Sequence, residues 1–416
     1  MSKLPLWLFV SYGGGHVKTL LPVARRVREL GIAQPLYLAL TTAAPLVRAS
    51  GLPVIGFADL MTAADEQARR KGEELAAALA VRSAEHRESV AYLGLSYVDL
   101  EQRVGREEAA AQYGRYGRQA FLPLGILERA IRRFQPALVV ATNSPRAEQA
   151  ALETARALDV RSICVVDMLG ISERHLLCRP DYGDAVCVIN EAVREALIRG
   201  GRPAADVVVT GNPAFDSVRD PAMVAQGAAL RRAAGWDRLH VCLYASSPEP
   251  ASTPGVAEAG DPDLPRLIER TLVCAVEANP ALAMWVRRHP SEAAAEELLA
   301  LRHPRIRVSA ADMPLHACLH ACDEVIVTVS TVGLEASIAG RYVTRVRGSI
   351  VDRFSPFAEL RIADRELTVR ELPAAYGSVM AGALAPARDR AGAPGGDATE
   401  RVVAVLQSVQ DGHRGA

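Results

Sequence analysis

Phe9-Val-Ser-Tyr-Gly-Gly-Gly-His16-Val-Lys-Thr19 lies between an apolar run, Leu4 to Val10, and an amphipathic stretch, Val17 to Leu30. A strand that enters a glycine-rich turn and leaves as a helix brings bare backbone N–H groups and one imidazole to a sheet's carboxyl edge. Open α/β folds bind their ligands there. Gly13, Gly14, Gly15 and His16 are therefore the first candidate site residues. Three consecutive glycines exceed what a tight turn needs, because each costs backbone entropy on folding, so they point to close approach of a ligand. Lys18-Thr19 after glycines suggests a P-loop, but that pattern needs Gly directly before Lys and another five residues earlier. Val17 and Tyr12 occupy those places. The competing bland reading is a simple βα turn with His16 as a solvated cap.

The same plan recurs along the chain. β-branched apolar runs followed by amphipathic helices signal a mostly parallel sheet. The first half is expected to hold strands at Leu6–Val10, Pro35–Leu40, Pro53–Phe57, Ala137–Ala141, Ile163–Asp167 and Ala185–Ile189, with a helical insertion from Met61 to Phe134 that ends in Leu124–Phe134. The second half is expected to hold strands at Leu239–Tyr244, Ala283–Arg287, Ile306–Val308, Glu324–Val329 and Tyr342–Val346. The fold class is α/β, with two Rossmann-like doubly wound domains facing each other. The expected boundaries are 1–205 for the first domain, 206–385 for the second, and 386–416 for a linker plus a closing helix, Thr399–Val409, that returns to the first. The cleft between the domains is the default active site. Two Pro/Gly/Ala-rich stretches, Ser247 to Pro265 and Ala385 to Asp397, read as a loop beside that cleft and as the linker.

At 416 residues the chain has ample material for two cores. It carries 48 Lys+Arg against 48 Asp+Glu, so no net field draws it to nucleic acid or an anionic membrane. Its sparse aromatics offer no stacking platform for single strands. No apolar stretch reaches spanning length, and the Leu-Pro-Leu-Trp-Leu-Phe-Val start is too short for a signal peptide. A cytoplasmic protein is expected, with peripheral membrane contact left open. Cys164, Cys187, Cys242 and Cys274 fall inside expected strands or helices, where thiols act as small hydrophobes. In His316-Ala-Cys318-Leu-His320-Ala-Cys322 the two His and the two Cys lie on different flanks of a helix, whereas zinc wants three or four convergent ligands. No metal is expected.

Glu324-Val-Ile-Val-Thr-Val329 reads as a buried strand, and Ser330-Thr331-Val-Gly333-Leu-Glu335 opens the next helix. A diphosphate there would take hydrogen bonds from the Ser330 and Thr331 hydroxyls and from helix N–H groups, with Gly333 admitting close approach. Glu335 would chelate the two ribose hydroxyls. A capping box would need Glu three residues after the Ser or Thr; here the offsets are five and four. Ser246-Ser247 follows the second domain's first strand and suits phosphate oxygens, while Arg287-Arg288-His289-Pro290 ends another strand with three basic side chains that could neutralise a leaving nucleotide. In the first domain, Thr142-Asn143-Ser144-Pro-Arg146 forms an unusually polar loop, and Asp167 ends the following strand. Either the carboxylate or the amide could fix the tautomer of His16 and make it a general base.

Taken in order, these features resemble the GT-B glycosyltransferase and UDP-N-acetylglucosamine 2-epimerase superfamily over nearly the full chain. The Gly-Gly-Gly-His16 loop with Leu20-Leu21-Pro22-Val-Ala24-Arg25-Arg26 looks like the acceptor-side loop of UDP-sugar transferases, and Val209-Thr210-Gly211-Asn212-Pro213 like the interdomain segment of transferases and epimerases. Ser330, Thr331 and Glu335 match that family's phosphate and ribose contacts. The resemblance implies a nucleotide-sugar donor on the second domain, most simply a UDP-sugar, and a glycan, lipid or protein acceptor on the first, with neither metal nor cofactor. Many members carry Pro three residues after the loop His, where this chain has Thr19. His289-Pro290 also looks like the motif of capsule-type transferases with CMP- or CDP-linked donors. The expected activity is glycosyl transfer in polysaccharide biosynthesis. The alternatives are a hydrolysing 2-epimerase, whose Gly-Thr-Arg-Pro-Glu start is lacking, and a non-catalytic sugar-nucleotide-binding protein.

Overall fold

The computed structural model describes residues 4–40, 42–79, 86–253, 256–289, 291–292, 296–310, 313–386 and 397–412. The chain divides into two compact units, Met1–Ala214 with Asp397–Ala416, and Phe215–Gly396.

The first unit carries seven strands: β1 (Leu6–Ser11), β2 (Gln34–Ala39), β3 (Val54–Ile55), β4 (Leu138–Thr142), β5 (Arg161–Val165), β6 (Ala185–Val188) and β7 (Val207–Val209). Their order is β3-β2-β1-β4-β5-β6-β7, with parallel neighbours throughout. The second unit carries β8 (His240–Ala245), β9 (Leu282–Arg287), β10 (Ile306–Val308), β11 (Glu324–Val327), β12 (Tyr342–Arg347) and β13 (Arg365–Thr368) in the order β10-β9-β8-β11-β12-β13, again all parallel. Both sheets thus have the doubly wound order whose direction of winding reverses beside the first strand. Ligands bind outside the carboxyl ends at such a reversal. It lies between β1 and β4 in one unit and between β8 and β11 in the other.

Every expected strand is present, and two strands went unread. β7 pairs with β6, so the first unit runs past the boundary at 205. β13 is Arg-Glu-Leu-Thr, half-buried along its length, and an edge strand of that composition has no apolar alternation to reveal it. β3 is shorter than Pro53–Phe57, because Phe57–Leu60 turns helical with the Asp59 carboxylate accepting the Gly56 N–H at 2.9 Å. The closing helix, Ala398–Gln410, buries Val402, Val403, Leu406 and Val409 in the same core as Val17, Leu20, Val23 and Val27 of the helix Gly15–Leu30. At roughly 1.5–3 kcal/mol for each buried aliphatic side chain, that seam is a large part of the first unit's cohesion. Most of the linker expected at Ala385 to Asp397 lies outside the described residues.

The insertion is helical, as expected: Glu66–Ala78, His86–Val104, Arg106–Tyr116 and Leu124–Phe134. The first two of these cross so closely that a Cβ on Gly72 would lie 2.0 Å from the Val90 carbonyl oxygen, and one on Gly94 1.8 Å from that of Ala68. Those two glycines set the distance between the helices. Among the described residues no helix is long and apolar enough to cross a membrane. Cys164, Cys187 and Cys242 are buried, whereas Cys274 is exposed on the helix Leu264–Ala278.

Candidate functional site

In the first unit the glycine loop leaves β1 and starts the helix at Gly15. Gly14, the N-cap, has φ 73° and ψ −132°, a conformation that favours glycine. A Cβ on Gly15 would sit 3.2 Å from Asp167 Oδ2, so the close approach anticipated for a ligand is made at this position by the protein's own carboxylate. His16 Nδ1 lies 3.2 Å from Asp167 Oδ2 and 3.0 Å from Thr142 Oγ1. Among the described residues no partner meets Nε2. Of the two orienting groups left open by the sequence, the carboxylate reaches the ring and the amide holds the carboxylate's backbone: Asn143 Oδ1 accepts the Asp167 N–H at 3.0 Å. The Asn143 Nδ2 donates to Glu173 Oε2 at 3.1 Å. Burial pushes the Asp167 carboxyl up from its ordinary range, with His16 and Asn143 pulling it back, and burial likewise raises Glu173.

The contacts that support this pair were not legible in sequence. Thr19, standing where Pro is common in the resembled family, donates through Oγ1 to Asn212 Oδ1 at 3.1 Å, and Asn212 Nδ2 donates to the Asp167 carbonyl oxygen. Asn212 Oδ1 also accepts the Ala214 N–H at 2.9 Å. The Asn212 amide therefore ties the loop helix to the end of β5 and is spent on the protein itself. Ser144 is buried and donates to the Pro145 carbonyl oxygen at 3.2 Å. Arg146 sits at φ 84° with its guanidinium carbon 4.7 Å from the Tyr12 ring centroid. Glu148, wholly buried, accepts the Tyr12 N–H at 2.5 Å, and among the described residues its other oxygen has no partner.

In the second unit Ser246 and Ser247 follow β8, Arg288 and His289 follow β9, and Ser330 and Thr331 follow β11. The order β9-β8-β11 makes these adjacent strands, so all six residues occur at one sheet edge, beside the winding reversal. Pro290 lies outside the described residues. The cations are not bare. Arg288 is bound by Glu269, at 2.6 and 3.1 Å, and by Glu297. Ser246 Oγ donates to Glu292 Oε1 at 3.0 Å, the His289 N–H to Glu292 Oε2 at 2.8 Å, and Arg266 to Glu292 as well. His289 Nδ1 lies 2.7 Å from Ser291 Oγ. Ser330 Oγ accepts the Val332 N–H at 3.3 Å, and Thr331 is the N-cap of the helix Val332–Ile338. At Gly333 the protein itself makes a close approach, because a Cβ there would lie 2.8 Å from the Phe357 ring and 2.9 Å from Val327 Cγ2. Glu335 Oε2 meets His316 Nε2 at 2.7 Å, and His316 Nδ1 lies 3.2 Å from Ser217 Oγ. His320 Nε2 turns instead to the Val218 carbonyl oxygen at 2.6 Å, while Cys318 and Cys322 are buried. Among the described residues no three His, Cys, Asp or Glu side chains are placed to share a metal ion.

No protein-family profile matches the chain, and no curated protein matches it in sequence. Solved structures do match its fold over nearly its whole length. UDP-GlcNAc 2-epimerase from Neisseria meningitidis bound to UDP-GlcNAc superposes with a TM-score of 0.56 at 11% identity, covering 97% of this chain and 100% of that one. MurG of Acinetobacter baumannii gives 0.56 at 14% identity, covering 98% and 100%. The complex of S. aureus MnaA with UDP gives 0.55 at 12%, covering 98% and 97%. The chain has the GT-B fold. At these identities the likeness establishes the architecture, and function has to be argued from the two sheet edges.

Proposed function

We propose that this GT-B protein is a metal-independent glycosyltransferase that moves a sugar from a nucleotide-sugar donor, most simply a UDP-sugar, to a glycan, lipid or protein hydroxyl. The observation that carries the reading is the His16–Asp167 pair, 3.2 Å apart at the first unit's winding reversal. Asp167 and Thr142 fix Nδ1, so Nε2 is the free position from which to take a proton, the role a general base requires. As the acceptor oxygen attacks the anomeric carbon, its proton passes to His16, and the bond to the donor phosphate breaks. Asp167 stabilises the imidazolium that forms. Ser246, Ser247, His289, Ser330 and Thr331 supply hydroxyl and N–H donors at the second unit's reversal, where the departing phosphate would be held, with Arg288 as the nearby cation and Glu335 on the ribose hydroxyls. In the first unit Gly13, Gly14, Asn143, Ser144 and Arg146 would line the acceptor side. Two of the structures with this fold carry UDP or UDP-GlcNAc, which supports the donor class.

One observation favours a second reading. Asp167 and Glu173 flank Asn143, and burial raises both carboxyls, which suits the acid–base elimination of a 2-epimerase. Incubation with a panel of nucleotide sugars and no acceptor separates the two. Slow nucleotide release that accelerates with added acceptor is expected for the transferase. Release of UDP together with N-acetylmannosamine would establish the epimerase instead, and binding without turnover would defeat both.

A further inference from the structure

Glu292 stands out at the second unit's sheet edge because three donors from three separate elements converge on its carboxylate. The Ser246 hydroxyl comes from the segment after β8, the His289 N–H from the segment after β9, and the Arg266 guanidinium from the helix Leu264–Ala278. The side chain is 10% exposed. A hydroxyl, a main-chain N–H and a guanidinium around two oxygens form the donor set that an anionic phosphate group takes in nucleotide sites. We infer that the Glu292 carboxylate is a built-in anion seated in the subsite for the donor's phosphate, and that a nucleotide enters by displacing it.

The inference rests on the nucleotide reading above and adds a gate to it. Local geometry offers a simpler account for one contact only. A Glu three residues after an N-cap accepts that residue's N–H in a capping box, which covers His289. It does not bring in Ser246, 46 positions away in sequence, or Arg266, 26 away. Charge points the same way. Arg266 is bridged to Glu269 at 2.5 Å as well as to Glu292, and Arg288 is bridged to Glu269 and Glu297. These five groups comprise two cations and three carboxylates, so a diphosphate arriving among them meets net repulsion. With Glu292 withdrawn, two cations face two carboxylates, and the Ser246 hydroxyl and the His289 N–H are left seeking an acceptor. Ser246 is buried, and an unmade hydrogen bond at its hydroxyl is costly, which favours refilling the subsite with another anion. Exchange of one anion for another is then the expected binding step, and it discriminates against neutral ligands.

The test is isothermal titration of wild-type protein, Glu292→Gln and Glu292→Ala with UDP and, separately, with inorganic pyrophosphate, alongside thermal unfolding of each chain. Glu292→Gln keeps the side chain's shape and its capping capacity and removes its charge. Both variants are expected to bind both ligands at least tenfold more tightly than wild type while remaining folded. UDP affinity that is unchanged or weaker in both variants, with wild type binding UDP, overturns the gate and leaves the nucleotide reading standing. Tighter pyrophosphate binding in the variants, with UDP ignored by all three chains, upholds the anion gate and defeats the nucleotide reading. If no chain binds either ligand, both fall.

Discussion

The two sheet edges are built on the same winding order and handle charge in opposite ways. At the first unit's edge one imidazole meets one carboxylate, and the ring keeps a nitrogen in reserve. At the second unit's edge the guanidiniums of Arg266 and Arg288 are each held by two carboxylates. The first arrangement suits a group that must exchange a proton during reaction. The second suits a site whose cations stay held by carboxylates until another anion arrives. Fold dictates where chemistry can be placed, and the partners of each charged group dictate what that chemistry is.

The most severe break in the comparison is His16→Ala. General-base assistance contributes roughly 10²–10⁴-fold, so transfer is expected to fall by about that factor while UDP affinity stays at the wild-type level. Asp167→Asn removes the orienting charge and leaves the ring in place, and a smaller loss is expected. Transfer rates and titration of the same preparations check both. A His16→Ala enzyme with undiminished turnover would remove the first edge from the mechanism.

Next in size is a change at the amino edge of the second sheet, which serves as a control for the carboxyl edge. Glu324, wholly buried, accepts from Arg365 at 2.9 Å, from the Tyr376 hydroxyl at 2.7 Å and from Thr344, and its Oε2 lies 2.9 Å from His240 Nε2. Burial opposes its charge, yet His240, Arg365 and Thr344 hold the carboxyl below its ordinary value. Removing one partner of such a set costs about 3–5 kcal/mol, so Glu324→Gln is expected to lower the unfolding midpoint steeply in a denaturant titration. A carboxyl with a depressed folded pKa stabilises above its unfolded value and loses that stabilisation as pH falls through the folded one. The difference between wild type and variant should therefore shrink from about pH 4.5 downward. UDP affinity of the folded variant should be unaffected, since the carboxylate lies at the start of β11 and the proposed donor groups follow its end.

Glu335→Ala probes the second unit's carboxyl edge itself. If Glu335 holds the ribose hydroxyls, the variant should lose about tenfold or more in UDP affinity, about 1.4 kcal/mol per factor of ten. Titration with inorganic pyrophosphate, which has no ribose, should show no loss. Equal UDP affinity in wild type and variant would return Glu335 to a structural role as the partner of His316.

Much of this architecture was legible because its signals are local. An apolar run, a turn and a 3.6-residue periodicity placed eleven strands and the helices Gly15–Leu30, Leu124–Phe134 and Ala398–Gln410 to within a few residues. The position of His16, Asp167, Ser246, His289 and Ser330 at carboxyl ends followed from the strands. For His16 the sequence left the Asp167 carboxylate and the Asn143 amide as alternatives, and the other long-range contacts did not follow at all. Glu148 meets Tyr12 across 136 residues, Thr19 meets Asn212 across 193, and Glu292 meets Ser246 across 46. A carboxylate that neutralises a cation after a long excursion of chain leaves no spacing to read. Gly15 and Gly333 show the same limit, because the need for a missing Cβ was visible and the group that approaches it was not.

The finest distinction lies between a pair of deeply buried carboxyls, Glu148 and Glu324. Glu324 has donors on both oxygens and is drawn down; Glu148 has the Tyr12 N–H on one oxygen and, among the described residues, no partner on the other, and burial pushes it up to about 8. A group whose folded pKa exceeds its unfolded value binds more protons when folded, so stability is complete below the unfolded value and falls as pH rises through the folded one. Stability should thus decline between about pH 4.5 and about pH 8, by at most about 1.4 kcal/mol per pH unit from this group, and level off above. Glu148→Gln keeps the acceptor for Tyr12 and cannot ionise, so its denaturation midpoint should lose that decline. Glu148 lies in the first turn of the helix Ala147–Ala157, and its acceptor oxygen holds the residue that opens the glycine loop. Ionisation there would place a second negative charge near Asp167. If the variant and wild type decline in parallel across that range, Glu148 is charged throughout, and the contrast with Glu324 rests on hydrogen-bond count alone.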